Sequence, residues 1–228
     1  MKKVVQTGII VISYALVLFA LFLDVFTSIS MSGIGKIFFY GVPMLLLFGE
    51  MIYEIKAETK KEEREKIKKK RLWAIFIIYL IALMTLLFMP SSFRYYNTWQ
   101  SQIPLFSQEN LQSNLNIVPF KTIFSYSERL GNHSINLSIV ITNLLGNLVA
   151  FAPFGFFVPL LMKDKIKNIG MFFFMVIGIV LIVEVLQFFL RVGSADIDDL
   201  ILNTLGAIIV YGIMQMKIVK KGIDKLLN

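Results

Sequence analysis

The sequence predicts an all-α polytopic membrane bundle of six transmembrane helices with both termini in the cytoplasm. Three observations carry that prediction. Of the 228 residues, 57% are hydrophobic and only 17% charged, against about 45–50% apolar and about 25% charged in soluble domains. Six stretches approach the roughly 20 apolar residues that a helix needs to cross a hydrocarbon core of about 30 Å. The basic residues collect on the links that six spans would leave on one membrane side.

The spans fall at about 4–23, 34–53, 72–90, 139–162, 169–190 and 200–216. The first follows Met1-Lys2-Lys3. Its apolar run is long for a signal peptide, and Leu21-Phe22-Leu23-Asp24 offers no small-residue cleavage site, so it is expected to be retained as a span. The second begins near Lys36, carries Pro43 and ends at Glu50. The third and fifth are uninterrupted apolar runs. The fourth is polar at its start and holds Gly146, Pro153, Gly155 and Pro159, so a kinked or locally unwound helix that lines protein rather than lipid is expected there. The sixth is the shortest.

Charge sets the predicted orientation. Lys2 and Lys3 contribute +2, residues 54–71 contribute +4, residues 163–168 contribute +2 and the tail after 216 contributes +3, within a net charge of +8. All four segments share one side in a six-span topology, and the positive-inside rule makes that side cytoplasmic. The basic balance therefore marks topology, and no nucleic-acid partner is expected. The protein is expected to be a multi-pass protein of a bacterial plasma membrane in contact with membrane lipids. The absence of cysteine excludes a disulfide scaffold and a thiolate-ligated metal site.

The chain divides by composition into a two-helix unit at 1–53, a charged cytoplasmic hairpin at 54–71, a four-helix domain at 72–216 and a basic tail at 217–228. Within the hairpin, Glu62/Lys66 and Glu65/Lys69 are spaced to support a helical extension. Within the third region, 91–138 forms a long extracytoplasmic segment. Arg94, Tyr95, Tyr96 and Trp99 give it interfacial composition. Further along, Asn116-Ile-Val-Pro119-Phe120 contains a fixed turn, and the apolar stretch from Ile117 to Phe124 is suited to the membrane interface. His133, the one histidine, reads as a surface residue, which argues against histidine-based zinc or base chemistry.

Three polar clusters stand out against the apolar background. Asn143 and Asn147 share a face of the fourth span. Glu184, Gln187 and Arg191 share a face at the end of the fifth. Asp196, Asp199 and Asn203, with Asp198 beside them, lead into the sixth. In the predicted topology all three meet near the outer membrane surface. Ionisable groups inside a membrane are costly and face protein or water. Two readings are open. In one, an outward-facing polar pocket holds a ligand headgroup, with Glu184 as the central carboxylate and candidate catalytic residue, Gln187, Asn143, Asn147 and Asn203 as hydrogen-bonding groups, and Arg191 as an anion contact. In the other, a Glu184–Arg191 ion pair pins two helices, Asn143 and Asn203 act as hydrogen-bonding glue, Gly146 and Gly206 permit close approach, and Asp198 and Asp199 cap the sixth helix. Glu184, Asp196 and Asp199 are the candidate set for a divalent cation. No resident cofactor is expected.

The same residues carry a resemblance. Asn116-Ile-Val-Pro119-Phe120, then Asn143-Leu-Leu-Gly146-Asn147 with Phe151, Pro153, Gly155 and Pro159, then Glu184 and Gln187, and finally Ala195-Asp196-Ile-Asp198-Asp199-Leu-Ile-Leu-Asn203-Thr-Leu-Gly206 resemble the VanZ-like family of bacterial membrane proteins over roughly 72–216. Arg191 lies slightly further from Asp196 than in the tightest form of the pattern. The resemblance implies an accessory cell-envelope protein associated with low-level teicoplanin resistance. Asn116 joins the pocket candidates on this basis, and Pro119, Gly146, Pro153, Gly155, Pro159 and Gly206 become structural candidates. The expected ligand is a lipid, a lipoglycopeptide or a lipid-linked envelope precursor. An intramembrane enzyme acting on a lipid-linked phosphate or glycan, a small transporter and a structural scaffold are the alternatives. The sequence specifies no protein partner.

Overall fold

The computed structural model describes residues 2–26, 31, 33–89 and 103–227. The interfacial group Arg94, Tyr95, Tyr96 and Trp99 lies outside the described residues. Six helical segments, Val4–Val25, Ile37–Ala57, Lys61–Phe88, Leu137–Leu161, Ile169–Leu190 and Ile197–Gln215, are long and apolar enough to cross a membrane. Each falls within a few residues of a predicted span, except that the third begins earlier because the charged hairpin is itself helical. The protein is a multi-pass helical membrane protein.

The chain forms two compact units, residues 1–95 with 217–228, and residues 96–216. The third span, which composition groups with the C-terminal region, belongs to the first unit. That unit contains α1 (Lys2–Phe26), a short α2 (Gly33–Lys36), a π-helical turn (Ile37–Gly41), α3 (Val42–Ala57) and α4 (Lys61–Phe88). The wide turn stands directly before Pro43, whose ring crowds the carbonyl four residues back and which has no N–H to donate. The core of the unit holds Ala20, Tyr40, Leu47, Met51, Ile55 and Leu72, all buried. Two polar knots tie it. At one, Lys36 lies 3.5 Å from Asp24 and donates to the Thr85 carbonyl at 3.1 Å, while Tyr40 donates to Asp24 at 3.3 Å. At the other, Arg71 forks onto Glu50 at 2.6 and 3.1 Å and reaches Glu54 at 3.2 Å. In the hairpin Lys66 pairs with Glu62 at 2.8 Å as the spacing predicts, whereas Glu65 pairs with Lys68 at 2.6 Å rather than with Lys69.

The second unit contains α5 (Gln108–Asn114), β1 (Leu115–Asn116), α6 (Lys121–Gly131), α7 (Leu137–Ala150), α8 (Ala152–Leu161), α9 (Ile169–Leu190), β2 (Ala195–Asp196) and α10 (Ile197–Gln215). A last helix, α11 (Lys217–Leu227), returns to the first unit. Helix α10 is the hub of the second unit and packs against α7, α8 and α9. Two glycines set its spacing. A methyl added at Gly206 would overlap the Leu148 carbonyl, whose carbon is 2.8 Å away, and one at Gly155 would sit 2.5 Å from the Tyr211 amide nitrogen. Gly146 faces open space, so close approach depends on Gly206 and Gly155. The fourth span breaks at the buried Phe151, between α7 and α8. Pro153 cannot donate to the carbonyl four residues back, so α7 cannot run through, yet proline is tolerated at the start of α8. Phe172 of α9 stacks on Tyr211 of α10 with ring centroids 4.3 Å apart.

Candidate functional site

The site begins with a two-residue parallel strand pair. β1 sits beside β2 with Leu115 opposite Ala195 and Asn116 opposite Asp196. This pairing docks the long segment between the third and fourth spans onto the start of α10. The amide of Asn116 then uses both of its N–H groups and its oxygen. Its Nδ2 donates to Asp196 Oδ1 at 2.8 Å and to Thr122 Oγ1 at 3.1 Å, and its Oδ1 accepts from the Val118 N–H at 3.1 Å. The Thr122 hydroxyl donates to Asp196 Oδ2 at 2.5 Å, closing a ring of three side chains. Asp196 also caps α10, accepting the Asp198 N–H at 2.8 Å.

Pro119 and Phe120 occupy the middle of a turn closed by the Lys121 N–H on the Val118 carbonyl at 3.3 Å. Phe120 takes a left-handed conformation, φ 66°, as the third residue of a type II turn does. A non-glycine residue there costs about 1–2 kcal/mol. Asp198 offsets that cost. It is fully buried, and its carboxylate accepts the N–H groups of Phe120, Thr122 at 2.8 Å and Ile123 at 3.2 Å. These are the orphan donors at the start of α6, so Asp198 caps a helix from 76 residues away in sequence. The roles expected of the acidic run are thereby redistributed: Asp196 caps the sixth span, Asp198 caps α6, and Asp199 accepts a hydrogen bond from the Asn147 amide.

Glu184 is buried and accepts the Asp196 N–H at 3.1 Å. It forms no ion pair with Arg191. That residue ends α9 in a left-handed conformation, φ 56°, and its guanidinium donates to the Ile103 carbonyl at 2.7 Å. Gln187 stands beside it, against Gly193. Asn143 is exposed and donates to the carbonyl of Ile139 one turn back, away from the cluster. Asn203 is buried, and its Oδ1 and the Thr204 hydroxyl have no hydrogen-bond partner among the described residues. Glu184, Asp196 and Asp199, the candidate cation set, each accept a hydrogen bond from the protein, and no group of three or more acidic, histidine or cysteine side chains placed to hold a metal ion occurs among the described residues.

A cavity of about 300 Å³ lies on the α5–α6 side of this network, lined by Asn116, Lys121, Thr122, Ser125, Arg129 and Asp196 among others. Of the residues singled out by sequence, only Asn116 and Asp196 reach it. Lys121, Ser125 and Arg129 repeat every four residues and so share one stripe of α6. Tyr126 also lines the cavity. Partial burial, and then the negative charges of Asp199 and Asp196, push its phenol above the usual tyrosine range. The cavity stripe was findable in the sequence as the polar face of the amphipathic segment 121–131. What hid it was the apolar stretch overlapping that segment. Ile117, Val118 and Phe124 are indeed exposed, beside the residues that line the cavity.

Comparison with known proteins places these elements in context. The VanZ/LLP1 family model matches residues 76–219. Protein VanZ of Enterococcus faecium is 28% identical over 121 residues, which cover 51% of this chain and 63% of that protein. The match thus spans less than two thirds of that relative. No solved structure matches.

Proposed function

This chain belongs to the VanZ/LLP1 family, and on that premise we propose that it is a cell-envelope accessory protein of the bacterial plasma membrane whose cavity holds the polar part of an amphiphile, contributing to teicoplanin-type resistance. One observation carries the reading. A polar cavity with two cationic side chains is built on the docked segment 115–131, which also exposes Ile117, Val118 and Phe124. A polar recess beside exposed apolar side chains suits a ligand with one wet and one greasy end. Positive-inside topology puts the recess on the outer face, where a lipoglycopeptide, an envelope lipid or a lipid-linked precursor would meet it. Within this reading Asn116 and Asp196 shape the wall. Glu184, Asp199, Asn147 and Asn203 hold the helices beneath it, and Arg191 anchors the far end of the segment.

Teicoplanin susceptibility of a strain that depends on this gene tests the proposal. Ser125→Trp places a large ring in the cavity from an exposed helical position, so insertion into the membrane is retained. The expected result is loss of protection at unchanged protein level. Full protection by Ser125→Trp would sink the reading. Glu184→Leu, which removes the acceptor of the Asp196 N–H, is expected to weaken protection by loosening the support of the wall.

A further inference from the structure

We propose that the cavity on α6 recognises a phosphate monoester headgroup, held by Lys121 and Arg129 from either side of Ser125; this rests on the amphiphile-binding reading and names its ligand chemistry. The first support is charge. Lys121 and Arg129 both line the cavity, both are exposed, and neither has an ion-pair partner among the described residues. Arg191, by contrast, donates to the Ile103 carbonyl and is outside the cavity lining.

The second support is the state of the one acid in the wall. Both oxygens of Asp196 are committed, Oδ1 to the Asn116 amide and the Asp198 N–H, and Oδ2 to the Thr122 hydroxyl. Its charge is spread over three donors and does not offer a cation a free ligand. The ends of the wall do not hold an anion by the helix terminus either, because Asp198 already takes the first N–H groups of α6. An anion must therefore be held by side chains.

The third support is the donor count. The guanidinium supplies five N–H groups in a planar fork and the ammonium three, with the Ser125 hydroxyl between them. Lys121 and Arg129 are two turns apart, about 12 Å along the axis, a span that two long side chains bridge when they converge on one group. Two cationic donor groups beside an acid whose oxygens are already hydrogen-bonded fit an anionic, acceptor-only group that carries several oxygens, and a phosphate monoester is a lipid headgroup of that description. Its chain would follow the exposed Ile117, Val118 and Phe124.

The test uses the purified full chain in a neutral detergent, with dihexanoyl phosphatidic acid, dihexanoylglycerol, inorganic phosphate and teicoplanin as separate probes. The expected result is saturable binding of the phosphatidic acid, weakened at least about tenfold by Lys121→Gln with Arg129→Gln, largely restored by Lys121→Arg with Arg129→Lys, and reduced by salt. Equal binding of dihexanoylglycerol, or a phosphatidic acid affinity untouched by the double variant, overturns the phosphate assignment. Inorganic phosphate binding as tightly as the lipid shows a free-anion site and overturns the headgroup. If teicoplanin binds and Ser125→Trp abolishes it while phosphatidic acid never binds, the phosphate assignment falls and the amphiphile-binding reading stands. If Ser125→Trp alters the binding of no probe, both fall.

Discussion

The two units treat buried charge in opposite ways. In the first, acids meet cations: Asp24 meets Lys36, and Glu50 and Glu54 meet Arg71. In the second, Glu184, Asp196, Asp198 and Asp199 are satisfied by backbone N–H groups, an asparagine amide and a threonine hydroxyl, and among the described residues no lysine or arginine pairs with them. A buried ion pair neutralises itself and pins helices. A cluster held by neutral donors has no counter-charge to pin it, and two cations of the second unit, Lys121 and Arg129, line a cavity without an ion-pair partner among the described residues. The buried charges of the first unit thus meet one another across helices, whereas in the second unit the buried acids meet neutral donors and Lys121 and Arg129 stand in the lining of the recess.

The largest effect that can break this contrast is in the first unit. Arg71→Met strands the buried Glu50 carboxylate and is expected to cost about 3–5 kcal/mol, read as lost thermal stability in detergent. The double variant Glu50→Met with Arg71→Met should recover most of it, because removing both charges removes the stranded one. If the double variant is as unstable as the single one, the pair is not the self-contained pin described.

Next is Asp198→Ala, which frees three backbone donors and leaves Phe120 in its left-handed conformation without a partner. A loss of about 2–4 kcal/mol is expected, concentrated in the docked segment. Amide exchange over residues 117–131 should accelerate by roughly 30-fold or more, with the first unit unaffected. Uniform acceleration throughout the chain would contradict a local clasp.

A smaller effect sharpens the contrast directly. Asp199→Asn keeps an acceptor for the Asn147 amide and removes a charge that has no cation beside it, so stability should stay within about 1 kcal/mol of wild type. A loss comparable to that of Arg71→Met would reveal an unseen counter-charge.

The smallest effect is in titration. Tyr126 is held above the ordinary tyrosine value of about 10, first by burial and then by Asp199 and Asp196. The folded protein thus favours the neutral phenol. This contribution to stability is complete below the ordinary value and is lost as pH rises through the folded one. Difference absorbance against Tyr126→Phe should show the late-titrating phenol, and Asp199→Asn should bring it back toward the ordinary range.

Much of this was legible in the residues. The six spans follow from runs of apolar side chains, since lipid demands about 20 of them per crossing whatever the neighbours are. The break in the fourth span follows from Pro153, because a missing N–H is a local fact. Asp196 and Asp199 stood out because acids in such a background are rare. The partners were not legible. Asn116 and Asp196 are 80 residues apart and meet through a strand pair of two residues, too short to leave a periodic pattern. Asp198 looked like a cap for the helix it begins, and it caps another one.

Arg191 shows the same limit. Its spacing of seven from Glu184 suggested an ion pair, but the helix ends at Arg191 in a left-handed conformation and the guanidinium leaves that face. Composition alone determined that this is a membrane protein with six helical spans, because the hydrophobic effect acts on each segment separately. Only the tertiary structure decided which polar groups share a site. Docking β1 on β2 gives Asp196 its neutral donors and brings the Lys121–Arg129 stripe to the wall of the recess, and that assignment depends on contacts between segments that no local pattern encodes.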